Sequence, residues 1–557
     1  MSALLQTLNL FGGLGIFLIG MKSMSDGIHK RSGERLQSLL ATLTGNRVLA
    51  VLTGLAATTI VQSSSATTVI LVSLVNAGLV NLQQSIGVIM GANIGTTLTA
   101  WLVSLFGFKV KITSFALPAI ALAFPFYFSR SEKRRDVAEA VIGFGLLFLG
   151  LHLMKESVPD IRNNPEVLQF LEGFASGGYP SIILFVLVGT IITVVLQSSS
   201  AAMAVTLTMA YKGWIDFPIA AAIVLGENIG TTITAFLASL PMKTEARRAA
   251  RAHMFFNLLG VLWMLLLFFP FLRLVDAIVP GAAASPEAIP IHLSAFHTIF
   301  NVSNTLILIW FIPQIARLVE ASVKSDKEPE FQGPYRFIPV PSNIPDAVES
   351  NLINVHAETA RMARETRGMM ERIRKSMEQP EDVEKARREL ARSEELLDEM
   401  QEELANFLTE CTRDSISTYQ ARTIQALQRA IQELESISDS AYSIVMLLHK
   451  LQSDELKMHK TGHEELSAYT DKVLEFLDYN AEILQRSIND YALDDALRFE
   501  QRINTMRDEL NKISRRKMAK KKRSELKGEL IFRDVVRHLE HIGDYSLNIS
   551  QAMRLAE

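Results

Sequence analysis

Hydrophobic positions in the first 320 residues do not alternate with polar ones; they collect in long runs. The runs lie near Leu8–Met21, Val48–Val80, Ile86–Phe106, Ile112–Phe128, Val137–Leu153, Ile182–Tyr211, Ile219–Leu240, Ala252–Leu272 and Ile291–Ile315. Each is long enough, or nearly so, to cross a hydrocarbon core of about 30 Å as a helix. After Ile315 the pattern changes. Pro329, Pro334, Pro339, Pro341 and Pro345 punctuate a polar stretch over Ser325–Asp346 that cannot continue a helix. From Ala347 to Glu557 apolar residues recur every three or four positions among Glu, Arg, Lys and Gln. Leu526, Leu530, Val535, Leu539, Ile542, Ile549 and Met553 are one such stripe, and it predicts amphipathic helices in a soluble bundle. The expected fold is all-α: a polytopic membrane region over residues 1–320, a linker over 321–346 and a helical domain over 347–557. The first charge is Lys22, so the first run reads as a transmembrane helix and not as a cleavable signal.

The polar residues inside the apolar runs say the same thing twice. Gln62-Ser63-Ser64-Ser65-Ala66 returns 135 residues later as Gln197-Ser198-Ser199-Ser200-Ala201. The segment from Gly91 through Asn93, Ile94, Gly95, Thr96 and Thr97 returns at the same offset as Gly226, Asn228, Ile229, Gly230, Thr231 and Thr232, with Glu227 in place of Ala92. A looser match sets Gly13, Gly15 and Gly20 against Gly143, Gly145 and Gly150. Two repeats follow, about 8–128 and about 137–272, with a final helix at about 291–316.

Basic residues orient the repeats, because short loops rich in Lys and Arg stay in the cytoplasm. Lys22–Arg47, Arg130–Arg135, Lys243–Arg251 and the stretch from Arg317 carry that excess; Val158–Tyr179 and Asp276–Pro290 do not. Arg47 must then be inside and Phe108 outside, although two long apolar segments lie between them. The parity is restored if Val48–Val80 is a re-entrant hairpin turning at Gln62–Ser65, and Ile182–Tyr211 a second one turning at Gln197–Ser200 from the other face. The halves are an inverted repeat, and the tips meet near the bilayer midplane, where irregular backbone is tolerated if it lines a polar cavity. Serine hydroxyls and free amides at a helix start suit a tetrahedral anion; Gln, Asn and hydroxyl oxygens suit a monovalent cation such as sodium. Helix packing is the competing use of such small residues.

Composition narrows the class. Hydrophobic residues make up 48% of the chain and the mean hydropathy is +0.20, more than a soluble domain of this size needs. The net charge of −3 argues against a nucleic-acid function, and the single Cys411 excludes an intrachain disulfide. No G-x-x-x-x-G-K-[ST] segment is present, which disfavours ATP-driven pumping, and nothing marks the chain as an enzyme. The basic run Arg515–Arg523 is a solvated interhelix loop or a contact for anionic lipid.

The paired Q-S-S-S and G-x-N-I-G-T-T motifs closely resemble those of the type II sodium–phosphate cotransporter family over about residues 1–320. A repeated H-x-x-F-N pattern, at His253–Asn257 and His297–Asn301, is also similar to that family. The resemblance implies sodium-coupled symport of inorganic phosphate by alternating access across a bacterial inner membrane. It implies a site made of Gln62–Ser65, Gln197–Ser200, Asn93, Thr96, Asn228 and Thr231; within it we assign Ser64, Ser65, Asn93, Ser199, Ser200 and Asn228 to phosphate, and Gln62, Ser63, Thr96, Gln197, Ser198 and Thr231 to sodium. A carrier of another oxyanion such as sulfate and a membrane-anchored phosphate sensor are the alternatives. Glu227, an intramembrane carboxylate, is a candidate coupling group or the partner of a basic side chain.

In the tail, Glu435 and Asp439 are echoed 105 residues later by Glu540 and Asp544, followed by Asn548. Spacing of four puts each pair on one helix face, where oxygens can gather around a metal; such a pair is more often just solvated. The tail resembles a PhoU-like domain, in which two three-helix repeats carry E-x-x-x-D-x-x-x-N metal motifs. Ser443 stands where the first copy would carry Asn. The resemblance implies a cytoplasmic regulator that binds a divalent or transition metal and pairs with a second copy or a regulatory protein. Direction of transport and ion stoichiometry do not follow from these motifs.

Overall fold

The computed structural model describes residues 3–41, 46–109, 113–158, 178–283, 285, 287–324, 334–344, 346–413, 416–486, 493–519 and 526–555. Most of the 158–179 segment, Pro329 and Pro345 of the linker, and residues 520–523 of the basic run therefore lie outside them. The described residues are helical, with no strand among them, and fall into two compact units. One comprises residues 1–326 with 340–347, the other 327–339 with 348–557.

The first unit holds α1 (Ala3–Ala41), α2 (Arg47–Val61), α3 (Ser64–Asn76), α4 (Leu82–Ser104), α5 (Thr113–Tyr127) and α6 (Glu132–Ser157). It continues with α7 (Tyr179–Leu196), α8 (Ser199–Tyr211), α9 (Phe217–Gly230), α10 (Thr232–Ser239), α11 (Thr244–Leu266), α12 (Phe268–Ile278), α13 (Ile289–Leu308) and α14 (Ile312–Ser322). Among the described residues seven helical segments are long and apolar enough to cross a membrane. Three helices at the repeated motifs are too short: α2, α3 and α8 have 15, 13 and 13 residues, about 20 Å each at 1.5 Å per residue.

Glycine contacts reveal which way these short helices run. A Cβ on Gly91 would stand 1.9 Å from the Val51 carbonyl oxygen, and one on Gly95 2.8 Å from Thr58 Cβ. Gly87 faces Ala50 in the same manner. Residue numbers rise together on α2 and α4, so the two helices are parallel, packed backbone to backbone through a stripe of small residues. The intervening α3 must run back between their two ends, which makes α2 and α3 a hairpin. The second half repeats this contact by contact: a Cβ on Gly226 would stand 2.0 Å from the Val186 carbonyl oxygen, and one on Gly230 2.7 Å from Thr193 Cβ. Helices α7 and α9 are thus parallel and α8 returns between them.

The relation between the halves comes from α1 and α6. A Cβ on Gly13 would lie 3.2 Å from the Gly150 carbonyl, and one on Gly20 2.8 Å from the Gly143 carbonyl. Numbers rise on one helix as they fall on the other, so the matching first helices of the two repeats are antiparallel, as an inverted repeat requires. Lys30 and Glu139, 2.8 Å apart, close the far end of the pair.

Three features differ from the sequence reading. Helix α1 continues to Ala41 through residues expected in a basic loop, because nothing between Lys22 and Ala41 breaks a helix and Lys30 finds its carboxylate on α6. The Ala252–Leu272 run is divided between α11 and α12 at Leu267, and Pro270 sits in the first turn of α12, where its missing N–H costs nothing. The Ile291–Ile315 run gives way to a 3-10 turn at Ile309–Phe311 before Pro313 opens α14.

The second unit contains α15 (Ala347–Glu378), α16 (Val383–Cys411), α17 (Thr418–Ser453), α18 (Gly462–Arg486), α19 (Leu493–Met518) and α20 (Leu526–Leu555). Its own core includes Leu390, Leu397, Leu427, Ile437, Phe476, Val535, Leu539 and Ile542. The third helices of the two triplets, α17 and α20, pack against each other.

Candidate binding site

Each hairpin tip is built from a strained residue followed by a cap. Gln62 has φ 58° and Gln197 φ 51°, two of the four non-glycine residues with positive φ among those described. A left-handed residue with a side chain costs roughly 1–2 kcal/mol and marks a place where the surroundings enforce the conformation. The next residue is extended, Ser63 at φ −144° and Ser198 at φ −149°, and each serine Oγ accepts from the backbone N–H three residues on, at 3.2 Å. At each tip, then, the carboxyl end of one helix adjoins the amino end of the next. The uncapped N–H groups of Ser64 and Ser65, or Ser199 and Ser200, are presented there, while at the first tip the Thr59 and Val61 carbonyls already accept from Gln62 Nε2 and the Ser25 hydroxyl.

The supporting helix holds each tip. In the first repeat Gln62 Nε2 donates to the Thr59 carbonyl at 2.6 Å, and the Thr99 hydroxyl on α4 lies 3.2 Å from Gln62 Oε1. Asn93 and Asn228 both turn their amides back onto the preceding turn, to the Ile89 and Val224 carbonyls at 2.8 and 3.1 Å. Thr96 hydroxyl reaches the Ala92 carbonyl at 3.3 Å, whereas the Thr231 hydroxyl is buried without a partner. His297 Nε2 stands 3.4 Å from Asn228 Oδ1. The first tip is the more enclosed: Gln62, Ser64 and Ser65 are buried, while Gln197 to Ser200 are half-buried. Among the described residues no hydrogen bond joins the two tips. Helix α8 of the second hairpin does pack on α4 of the first repeat.

Sequence reasoning missed Thr58 and Thr193. Both are 1% exposed and both hydroxyls lack a partner. Their shared position four residues before the glutamines was a readable signal. Buried hydroxyls left open beside a tip are groups that a bound ion or water would satisfy.

In the second unit the predicted acidic residues are not equivalent. Glu394, Asp398 and Asp439 bring carboxylate oxygens within 4.8 Å of one another, a donor set suited to a hard cation. Burial, then the neighbouring carboxylates, push the Glu394 carboxyl above its ordinary range, and the same causes act on Glu435 and Asp439. Glu394 and Asp398 repeat the four-residue spacing on α16 but were not singled out. In the second triplet Glu540 is held by Arg507 at 2.6 Å and Asn548 donates to Glu433 at 3.2 Å, so two of its three predicted ligands are already engaged.

Asp544 gives a pH prediction. Burial first, then Glu540 and Glu500, push its carboxyl up to about 6 from 3.8. The folded state therefore binds this proton more tightly than the unfolded chain, so on this group's account stability rises as pH falls from above 6 towards 4. In residues 327–557 freed of metal by a chelator, Asp544→Asn is expected to raise Tm at pH 7.5 and to lose most of that advantage at pH 5. An equal shift at both pH values would reject the charge origin.

Comparison with known proteins bears on both units. Residues 16–156 and 176–275 match the family model described as Na+/Pi-cotransporter, and residues 359–448 and 467–553 match the PhoU domain model in two stretches. A protein of Escherichia coli (strain K12) named putative inorganic phosphate export protein YjbB is 28% identical over 389 residues, 70% of this chain and 68% of that one. Uncharacterized protein YqeW of Bacillus subtilis is 27% identical over 306 residues, 54% of this chain and 94% of its own. Sodium-dependent phosphate transport protein 2C of Mus musculus is 43% identical over 102 residues, 17% of this chain and 16% of that one. No solved structure matches the chain.

Proposed function

We propose, from the premise that the membrane unit belongs to the Na+/Pi-cotransporter family and the second unit carries a PhoU domain, that the chain carries inorganic phosphate through a membrane together with sodium. The coarser statement needs no proposal: this is a membrane protein of a phosphate-transporter family, and that family is one of carriers, not enzymes. The observation that carries the finer reading is the pair of matching tips. Each sets a strained glutamine, a serine cap and a free helix start inside an antiparallel duplication.

In this reading the free N–H groups and hydroxyls of Ser64, Ser65, Ser199 and Ser200, with the amides of Asn93 and Asn228, hold the phosphate oxygens. Oxygens of Gln62, Ser63, Thr96, Gln197, Ser198 and Thr231 hold sodium, and the opposed charges lessen each other's burial cost. The inverted halves rock to expose the site alternately. In this reading the membrane is a bacterial inner membrane and the PhoU domain is cytoplasmic, which the excess of basic residues before α2, before α6 and at the start of α11 supports. There it regulates flux, and its Glu394–Asp398–Asp439 group is the set that would hold a metal.

Uptake of labelled phosphate into proteoliposomes tests this, with an inward sodium gradient against matched potassium and excess unlabelled sulfate as competitor. Sodium-dependent accumulation that resists sulfate is expected. Saturable phosphate binding without accumulation would instead make the protein a sensor, and inhibition by sulfate would broaden the substrate. Reversing the gradient in preloaded vesicles reads the export direction that the name of the Escherichia coli relative states. Vesicles with residues 1–325 alone are expected to transport with altered rate; an inert but folded core would overturn the regulatory role.

A further inference from the structure

We infer that Glu227 and Thr206 form a proton-binding site, present in the second repeat alone, that couples proton occupancy to the second hairpin; the inference rests on the transport reading above. Both side chains are 2% exposed. The Thr206 hydroxyl on α8 lies 2.7 Å from Glu227 Oε1 on α9 and 3.0 Å from the Ala202 carbonyl one turn back. The counterparts 135 residues earlier are Leu71 and Ala92, both fully buried and apolar. The two polar residues therefore appear together or not at all, one on the returning arm of the hairpin and one on the helix that supports it.

A buried carboxylate with no counter-charge is costly enough that it takes up a proton or a cation. Helix α9 packs against α7, α8, α10, α11 and α13. Tyr179 lies on α7 and Tyr211 on α8, and α10 has no titratable residue. Helix α11 carries Glu245, Arg247, Arg248 and Arg251 in its first turns and His253 beyond them, α13 carries His292 and His297, and Asp216 caps α9 itself. Of these, His297 meets Asn228, Arg248 meets Glu245 and the Val323 carbonyl, and His292 meets Asp276. Among the described residues Thr206 is the one hydrogen-bond partner of the Glu227 carboxyl, and no ion pair reaches it. Sodium needs a cage of oxygens; the Thr206 hydroxyl and the Ala202 carbonyl beyond it are too few.

Hydrogen counting favours the proton further. Thr206 has one hydroxyl hydrogen and two acceptors in reach. With Glu227 protonated, its O–H donates to Thr206 and Thr206 donates to Ala202, so both contacts are made. With Glu227 ionised, Thr206 must turn to the carboxylate and release Ala202. Since the Ala202 N–H bonds the Ser198 carbonyl at 3.1 Å, the proton is read one turn from the second tip. Asn228, next in sequence, is read as a phosphate ligand, which joins proton occupancy to substrate.

The test is sodium-driven phosphate uptake from pH 6 to 8.5 by wild type, Glu227→Gln, Thr206→Val and the double variant Thr206→Leu with Glu227→Ala, whose residue pair is the one the first repeat already accommodates. The variant-to-wild-type ratio cancels the titration of phosphate itself. A site that titrates in this window changes that ratio by up to about tenfold per pH unit. A sloping ratio for Glu227→Gln is expected; a flat one overturns the inference. Infrared difference spectra on pH titration of the purified full chain provide a readout that does not need transport. Asp544 titrates in the same range in both proteins, so the band to follow is the carbonyl stretch of a protonated carboxylic acid that wild type shows and Glu227→Gln lacks. If that band is absent from wild type the site is wrong; if it is present in a protein that does not transport, the transport reading fails and the site stands.

Discussion

Gln62→Ala and Gln197→Ala are each expected to reduce sodium-driven phosphate uptake by about ten- to a hundred-fold, taking one lost oxygen contact to a cation as comparable to a hydrogen bond to a charged group. The two glutamines occupy the same left-handed position at symmetry-related tips, yet their settings differ. Gln62 is braced by Thr99 and Thr59, and Gln197 has no hydrogen bond of its own among those described. A purely structural role would make Gln62→Ala disruptive and Gln197→Ala harmless. A role at the site makes both inactive. Alanine keeps the strain of positive φ, so Gln62→Gly and Gln197→Gly are the better controls: glycine removes the strain with the side chain, and the folded state should gain stability as uptake is lost. Near-normal uptake by either glutamine variant, in protein of normal yield, would refute the assignment of the tips.

The second large effect is structural. Gly226→Ala is expected to destabilise the core by about 1–3 kcal/mol or more, the range for forcing a methyl group into a packed contact. The added carbon would stand 2.0 Å from the Val186 carbonyl oxygen and 2.7 Å from the Thr190 nitrogen, and backbone cannot swing aside as a side chain can. Helices α7 and α9 must separate, and the α7–α8 hairpin goes with them. Gly15→Ala is the control, because nothing lies within 4 Å of its added carbon; there alanine gains roughly 0.5–1 kcal/mol of helix propensity over glycine. The measurements are the yield of monodisperse protein in detergent and its thermal midpoint. Equal midpoints for the two variants would show that α7 and α9 are not packed as described.

What could be read from the sequence was whatever depends on residue type at fixed offset. The hairpins were legible because charge parity left no other path through Val48–Val80, and Gln62 to Ser65 supplied the turn. The α1–α6 relation was legible in Gly13, Gly15 and Gly20 against Gly143, Gly145 and Gly150. The helical bundle of the second unit followed from the apolar stripes, and its two helix triplets from the resemblance to a PhoU-like domain. What could not be read was pairing across helices. Glu394 and Asp398 share a spacing common on any solvated helix, and only the packing of α16 on α17 brings them to Asp439. Thr206 looked like one more threonine in an apolar run until the fold set it against Glu227. The break at Leu267 had no strong local signal, since proline is tolerated in a first turn.

The antiparallel ladder of Gly13 and Gly20 against Gly150 and Gly143 has a consequence for how this core diverges. Gly13 touches Gly150 as Gly143 touches Gly20, so the same patch is used twice across one axis. That is an isologous contact, the kind that closes two identical subunits upon themselves. Here both copies are written into one polypeptide. Two separate identical subunits would have to change together, each mutation appearing on both sides of the axis. A fused pair is released from that constraint, and a proton-binding pair such as Thr206 and Glu227 can stand on one side of the axis while leucine and alanine remain on the other.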